Sequence, residues 1–225
     1  MNTVLAVAPH PDDETLGCGG TLLRHAAKGD AVHWLIITHI TEDTGFSEKR
    51  VASREREINQ VADQYGMAST TNLAFPTTRL DVVPMGDLVS AISEVVHAIA
   101  PKIMYLPYRN DIHTDHAAVF DAVAACTKWF RYPSVKRVLV YETLSETDFV
   151  IDPDCKGFNP NSFTDISDFI DEKIKIMNSY ESEVGLHPFP RSEAAIRALA
   201  TLRGAAAGVS AAEGFMLLRE RITDD

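Results

Sequence analysis

The sequence predicts an α/β fold: a Rossmann-like, doubly wound, mostly parallel sheet with flanking helices. Three observations carry that prediction. Apolar runs alternate with helical periodicities about four times in the first 142 residues, the signature of repeated βαβ units. The runs are short and continuous rather than alternating, as in strands buried on both faces. Two of them stop at a proline, Pro9 and Pro107, and open directly into polar, His- and Asp-rich segments.

Taken in order, residues 4–8 read as the first strand. Gly17, Gly19 and Gly20 then read as a glycine-rich turn before a helix over 21–28, which Gly29-Asp30 ends. Residues 31–37 are a second strand. Residues 48–65, rich in Glu and Arg with apolar Val51, Ile58, Val61 and Tyr65, read as an exposed amphipathic helix closed by Gly66. A short strand at 72–75, a helix over 88–99 and a strand at 102–106 follow. A helix over 115–130 and a strand at 136–142 complete a further βαβ unit. Residues 144–164 carry Pro, Asn, Asp and Gly and read as an irregular excursion with a short strand near Phe158. Helices at about 165–181 and 191–207 and a last strand at 213–219 close the chain. No repeat, low-complexity tract or linker interrupts this order, and 225 residues suit a single domain over 1–225.

Composition narrows the function classes. With 32 acidic against 21 basic residues the formal net charge is −11, which opposes nucleic acid and anionic membranes as main partners. A small-molecule substrate remains, and local arginines can still hold an anionic group on it. Cys18, Cys126 and Cys155 are widely spaced and odd in number, so neither a disulfide framework nor a thiolate metal site is expected. The opening residues lack the basic region of a signal peptide. No run approaches the roughly twenty apolar residues of a membrane helix, so a cytoplasmic location is expected.

Ligands of open α/β sheets bind just beyond the carboxyl ends of strands. His10-Pro11-Asp12-Asp13-Glu14 sits there after the first strand, and Asn110-Asp111-Ile112-His113-Thr114-Asp115-His116 follows the strand at 102–106. Three carboxylates within five residues repel one another unless a cation neutralises them. If a helix begins at the second cluster, His113 and His116 share a face and Thr114 or Asp111 is its N-cap. An N/O donor set of His and Asp with an open position suits catalytic zinc (Zn2+), or Fe2+. A spare carboxylate can then take a proton from water, and a spare imidazole can steady an oxyanion or protonate a leaving amine. Spacing alone leaves amide, ester and phosphate hydrolysis open.

The same residues carry a resemblance. Pro9-His10-Pro11-Asp12-Asp13-Glu14 with Gly17-Cys18-Gly19-Gly20-Thr21 resembles the opening signature of the LmbE-like, PIG-L-type de-N-acetylases. His113-Thr114-Asp115-His116 is similar to that family's second motif, and Arg54 with Glu57 to its R-x-x-E helix. Arg203-Gly204 and Ala212-Glu213-Gly214-Phe215 resemble its closing stretch. Where the family commonly has Ala before the motif His, this chain has Pro9.

The resemblance implies a zinc enzyme that removes N-acetyl groups, usually from N-acetylglucosamine-containing compounds, with homo-oligomers common. It assigns His10, Asp13 and His116 to the metal, Asp12 as general base and His113 as oxyanion donor or general acid. Asp115 would orient an imidazole from outside the metal's own ligands. Arg54 would contact the sugar or its substituent. Arg109, beside the second motif, and His187, in the Leu186-His187-Pro188-Phe189-Pro190 loop, are further candidates to reach the substrate, while Glu14 is expected to be a cap or hydrogen-bond partner. A non-sugar N-acyl amine is the alternative substrate. A nucleotide-binding reading of the glycines is disfavoured, because their spacing is not G-x-G-x-x-G and no acidic residue closes the second strand.

Overall fold

The computed structural model describes residues 1–154 and 156–223, so Cys155 lies outside the described residues. In chain order the elements are β1 (Thr3–Ala8), α1 (Asp13–Ala27), β2 (Ala31–His39), α2 (Glu48–Tyr65), β3 (Ser69–Pro76), α3 (Met85–Ile99) and β4 (Ile103–Pro107). They continue with α4 (Thr114–Ala125), β5 (Arg137–Tyr141), β6 (Ser162–Asp165), α5 (Ile170–Met177), α6 (Glu193–Ala207) and β7 (Ala212–Glu220). Seven strands form one sheet in the order β3-β2-β1-β4-β5-β7-β6. The first five are parallel and β7 runs antiparallel to both its neighbours. The order reverses between β1 and β4, and that switch point opens a crevice at their carboxyl ends.

The continuous apolar runs have a simple cause. Side chains of a strand alternate between faces, and here both faces are covered. Val4, Ala6 and Ala8 of β1 pack with Leu16, Ile58, Val61 and Ile174 on one side. Leu5 and Val7 pack with Leu88, Ile92, Val96 and Val119 on the other. All five β1 residues from Val4 to Ala8 are fully buried, and each larger side chain among them contributes roughly 1.5–3 kcal/mol by leaving water. Helix α2 begins at Ser47, whose Oγ accepts the Arg50 N–H, and ends at Gly66 in the left-handed conformation (φ 64°).

Several expectations are corrected. Gly17, Gly19 and Gly20 lie inside α1, not in a turn before it. They permit close packing: a Cβ on Gly17 would overlap the Tyr141 ring, and one on Gly20 would sit 2.8 Å from Ile166 Cβ. Mid-helix, Glu213 of β7 accepts the Gly20 and Thr21 N–H groups at 2.9 and 2.7 Å. Lys173 Nζ donates to Leu16 O at 2.8 Å and pairs with Glu213 at 2.7 Å. A buried ion pair from α5 and β7 thus grips α1, whose first turn carries the polar cluster.

The helix expected to reach residue 130 stops at Ala125, and Cys126 is buried at its C-cap. The helix expected over 165–181 is only Ile170–Met177. The strand near Phe158 forms instead at Ser162–Asp165, while Phe158 packs edge-on against Tyr108. Among the described residues no helix is long and apolar enough to cross a membrane.

Candidate metal and catalytic site

The segment after β1 is held by several local contacts. Thr38 of β2 donates its backbone N–H and its hydroxyl to Pro9 O, at 3.0 and 2.8 Å. Glu14, fully buried, accepts the Asp12 N–H at 3.1 Å and the hydroxyls of Thr15 and Tyr180 at 2.6 and 2.7 Å. It is a hydrogen-bond partner, as expected, and it shapes the turn. Asp12 carries the strain of that turn, with φ 134° in a residue that has a Cβ.

The segment after β4 comes to the same point. His113 caps α4, its Nδ1 accepting the Asp115 N–H at 3.1 Å, so neither Thr114 nor Asp111 is the cap. With Nδ1 an acceptor, the neutral ring carries its proton on Nε2. Asp111 instead accepts from His116 Nδ1 at 2.7 Å. Asp115 receives the Thr78 and Leu80 N–H groups at 2.8 and 3.2 Å and lies 3.1 Å from His10 Nε2.

These bonds fix what remains free. His116 Nε2 is buried without a hydrogen-bond partner and lies 3.3 Å from Asp13 Oδ2. His10 Nδ1 is also 3.3 Å from Asp13 Oδ2. His10, Asp13 and His116 each offer a ligand atom within 4.8 Å of the others. A carboxylate oxygen between two imidazole nitrogens favours positive charge there, carried either as protons on the rings or by a metal ion that displaces them. A second grouping, His10, His113 and Asp115, meets the same distance limit. There, however, the Asp115 oxygens are already engaged by two backbone N–H groups and by His10. The first grouping fits a metal ion better, with Asp115 and Asp111 each bracing one imidazole from behind, the usual carboxylate–histidine support of a metal ligand.

The charge states agree with a site built around positive charge. Burial lowers the basicity of His10, but Asp115 and Asp13 outweigh it and hold the ring up to about 9. Burial opposes charge on His116 too, and Asp13 with Asp111 lifts it to about 10. Burial opposes charge on Asp13 as well, yet His116 and His10 hold that carboxyl well below the usual range. Burial pushes Asp12 up to about 8, with Arg191 pulling the other way. Burial and then His10 push His113 down to about 4, which keeps it neutral.

A cavity opens over this cluster, lined in part by His10, Asp12, Asp13, His113, Arg54 and Arg191. Arg54 is buried on α2, donates to Pro11 O at 2.7 Å and pairs with Glu57 at 3.3 Å and with Glu183. The pair with Glu57 is therefore buried, with Arg54 on the cavity wall, and is not a solvated helix face. Arg109 is not brought to the cavity: it is half exposed and forks onto Asp121 at 2.6 and 3.0 Å. His187 is exposed and absent from the cavity lining. Among the lining residues that escaped the sequence reading are the charged Arg191, Glu183 and Glu146. Arg191 reaches Asp12 at 2.6 Å across 179 positions, and no local pattern in the chain marks that contact.

A mostly parallel sheet whose switch point carries a largely buried His/Asp donor set, beside a further carboxylate and a neutral imidazole, defines a hydrolase-type centre on a Rossmann-like frame. Residues 5–127 match the PIG-L family, described as GlcNAc-PI de-N-acetylase. The uncharacterized deacetylase YaiS of Escherichia coli K12 is 32% identical over 63% of this chain and 74% of its own length. The diacetylchitobiose deacetylase of Thermococcus kodakarensis is 27% identical over 95% of this chain and 82% of its own. The crystal structure of the conserved protein TT1542 from Thermus thermophilus superposes with a TM-score of 0.80 at 28% identity, covering 99% of this chain and 97% of that one. The chain belongs to the PIG-L family and is an enzyme of the deacetylase type, a hydrolase of N-acetyl amide bonds.

Proposed function

We propose that this chain, as one domain over 1–225, is a zinc-dependent deacetylase that removes the acetyl group from an N-acetylated sugar or sugar conjugate of the N-acetylglucosamine kind. The observation that carries the metal is the convergence of His10 and Asp13, which line the cavity, with the buried, partnerless His116 Nε2. His/Asp donors with an open side suit zinc, with Fe2+ as the other fit. Support for the sugar comes from the family description and from the diacetylchitobiose deacetylase. The two described cysteines, Cys18 and Cys126, are free and buried, in keeping with a reducing cytoplasm.

When bound, the metal supplies Lewis acidity that makes water nucleophilic near neutral pH. The remaining work belongs to the chain. Asp12 takes a proton from the attacking water, so it must be ionised when the substrate arrives. Burial holds its carboxyl up to about 8, and the positive charge of a cation on His10, Asp13 and His116 would lower it and favour the carboxylate. His113, neutral and with its Nε2–H directed by the Asp115 N–H on Nδ1, donates to the acetyl oxygen as that atom gains charge, or to the departing amine. Asp115 and Asp111 hold His10 and His116 in the tautomers that leave one nitrogen of each free. Arg54 lines the wall where the sugar or its substituent is held.

The test combines metal analysis of the purified protein with acetate release from N-acetylhexosamine conjugates, N-acetyl amino acids and N-acetyl polyamines. We expect about one zinc per chain and release from the sugar compounds. Release from non-sugar amides alone would move the substrate to another N-acyl amine, and full activity in metal-free protein would remove the metal from the reading.

A further inference from the structure

Arg191 stands at the end of the Leu186–Pro190 segment, immediately before the N-cap of α6, Ser192. All three nitrogens of its guanidinium are used by the protein. Nε donates to Ser145 Oγ at 2.8 Å, and Nη1 to Asp12 Oδ2 at 2.6 Å and Glu183 Oε2 at 3.0 Å. Nη2 donates to Glu146 Oε1 at 3.3 Å. With every nitrogen engaged, the guanidinium braces Ser145, Asp12, Glu183 and Glu146 against one another.

Its partners make the same point. Asp12 and Ser145 both have positive φ, 134° and 72°, a costly conformation for residues with a Cβ. Such conformations persist only when surrounding contacts over-determine them. The planar fork of an arginine meets both strained residues at once, a geometry that a lysine's single ammonium reproduces only in part. The side chain is 19% exposed and forms part of the cavity wall, so it reaches Asp12 from the side open to substrate.

We propose that Arg191 is a positioning residue for the hydrolysis: it holds the Asp12 carboxylate in its reacting orientation and ties it to Ser145–Glu146 and to Glu183. This rests on Asp12 being the general base. Misplacing a reacting group by about 1 Å costs on the order of a hundredfold in rate, which sets the expected effect.

The experiment measures kcat and KM for acetate release, melting temperature and metal content in wild type, Arg191→Ala and Arg191→Lys. The Ala variant is also assayed with low-millimolar guanidinium ion. Expected are a kcat loss of about a hundredfold in Arg191→Ala, an almost unchanged KM and an unchanged metal content. Arg191→Lys and added guanidinium each restore part of the rate. An unchanged kcat, a rise in KM alone, or no recovery by either route overturns the proposal. Should Arg191→Ala not fold, Arg191→Lys carries the test, and a kcat equal to wild type with a raised KM overturns it. If wild-type enzyme releases acetate from no compound, the deacetylase reading fails by itself. Crystal structures of wild type and variant then decide the positioning: an Asp12 side chain displaced in the variant supports it, and an unmoved one overturns it.

Discussion

Two regions build this site in different ways. The segments after β1 and β4 deliver His10, Asp12, Asp13, His113 and His116 from strand ends that are neighbours in the sheet. They need only short side chains, because parallel strands at a switch point bring their carboxyl ends together. The segments 145–146 and 183–191 line the same cavity with Glu146, Glu183 and Arg191, and Arg191 pairs the two glutamates with Asp12. The difference is one of tolerance. Donor atoms that must converge within a few ångströms sit on rigid strand ends, while charges that orient and enclose sit on loops, where substitution and insertion are cheap.

That contrast can be broken by experiment. The largest effect is expected from Asp12→Asn. Acetate release should fall by about 10² to 10⁴-fold with metal content intact, and retained turnover would remove Asp12 as the base. Asp115→Asn probes the layer behind the metal ligands. Competition with a chelator should show metal affinity weakened by about 10- to 100-fold, and unchanged affinity would make Asp115 a cap for 78–80 only. The smallest effect is expected from Arg109→Ala. Although it lies beside the second cluster, its partner is Asp121 in solvent. Stability should change by less than about 0.5 kcal/mol in chemical denaturation, with kcat/KM unaltered. A large loss of kcat/KM would bring the Arg109 segment into the substrate's reach.

Much of the frame was legible because it is written in local periodicities. The helix expected over 48–65 forms over those same residues, since Gly66 closes an uninterrupted amphipathic pattern; its Ser47 cap emerges only in the structure. The glycines after Asp13 misled, because glycine in a helix and glycine in a turn look alike until the neighbour that needs the space, Tyr141 or Ile166, is known. The N-cap was misassigned for a related reason: a histidine seldom serves as one, and His113 does so only with its Nδ1 turned to the Asp115 N–H.

By itself, the chain's order of residues determined the parallel α/β frame and the two polar segments at strand ends, because both follow from short-range pattern and from where loops must lie on such a sheet. Only the tertiary structure decided which atoms of those segments are free and which are spent. It gave Asp115 to His10 and Asp111 to His116, left His116 Nε2 without a partner, turned Arg109 and His187 outward, and brought Arg191 onto Asp12. The physical reason is that a hydrogen bond satisfies one specific atom, and its partner can stand anywhere in the sequence that folding brings within about 3 Å.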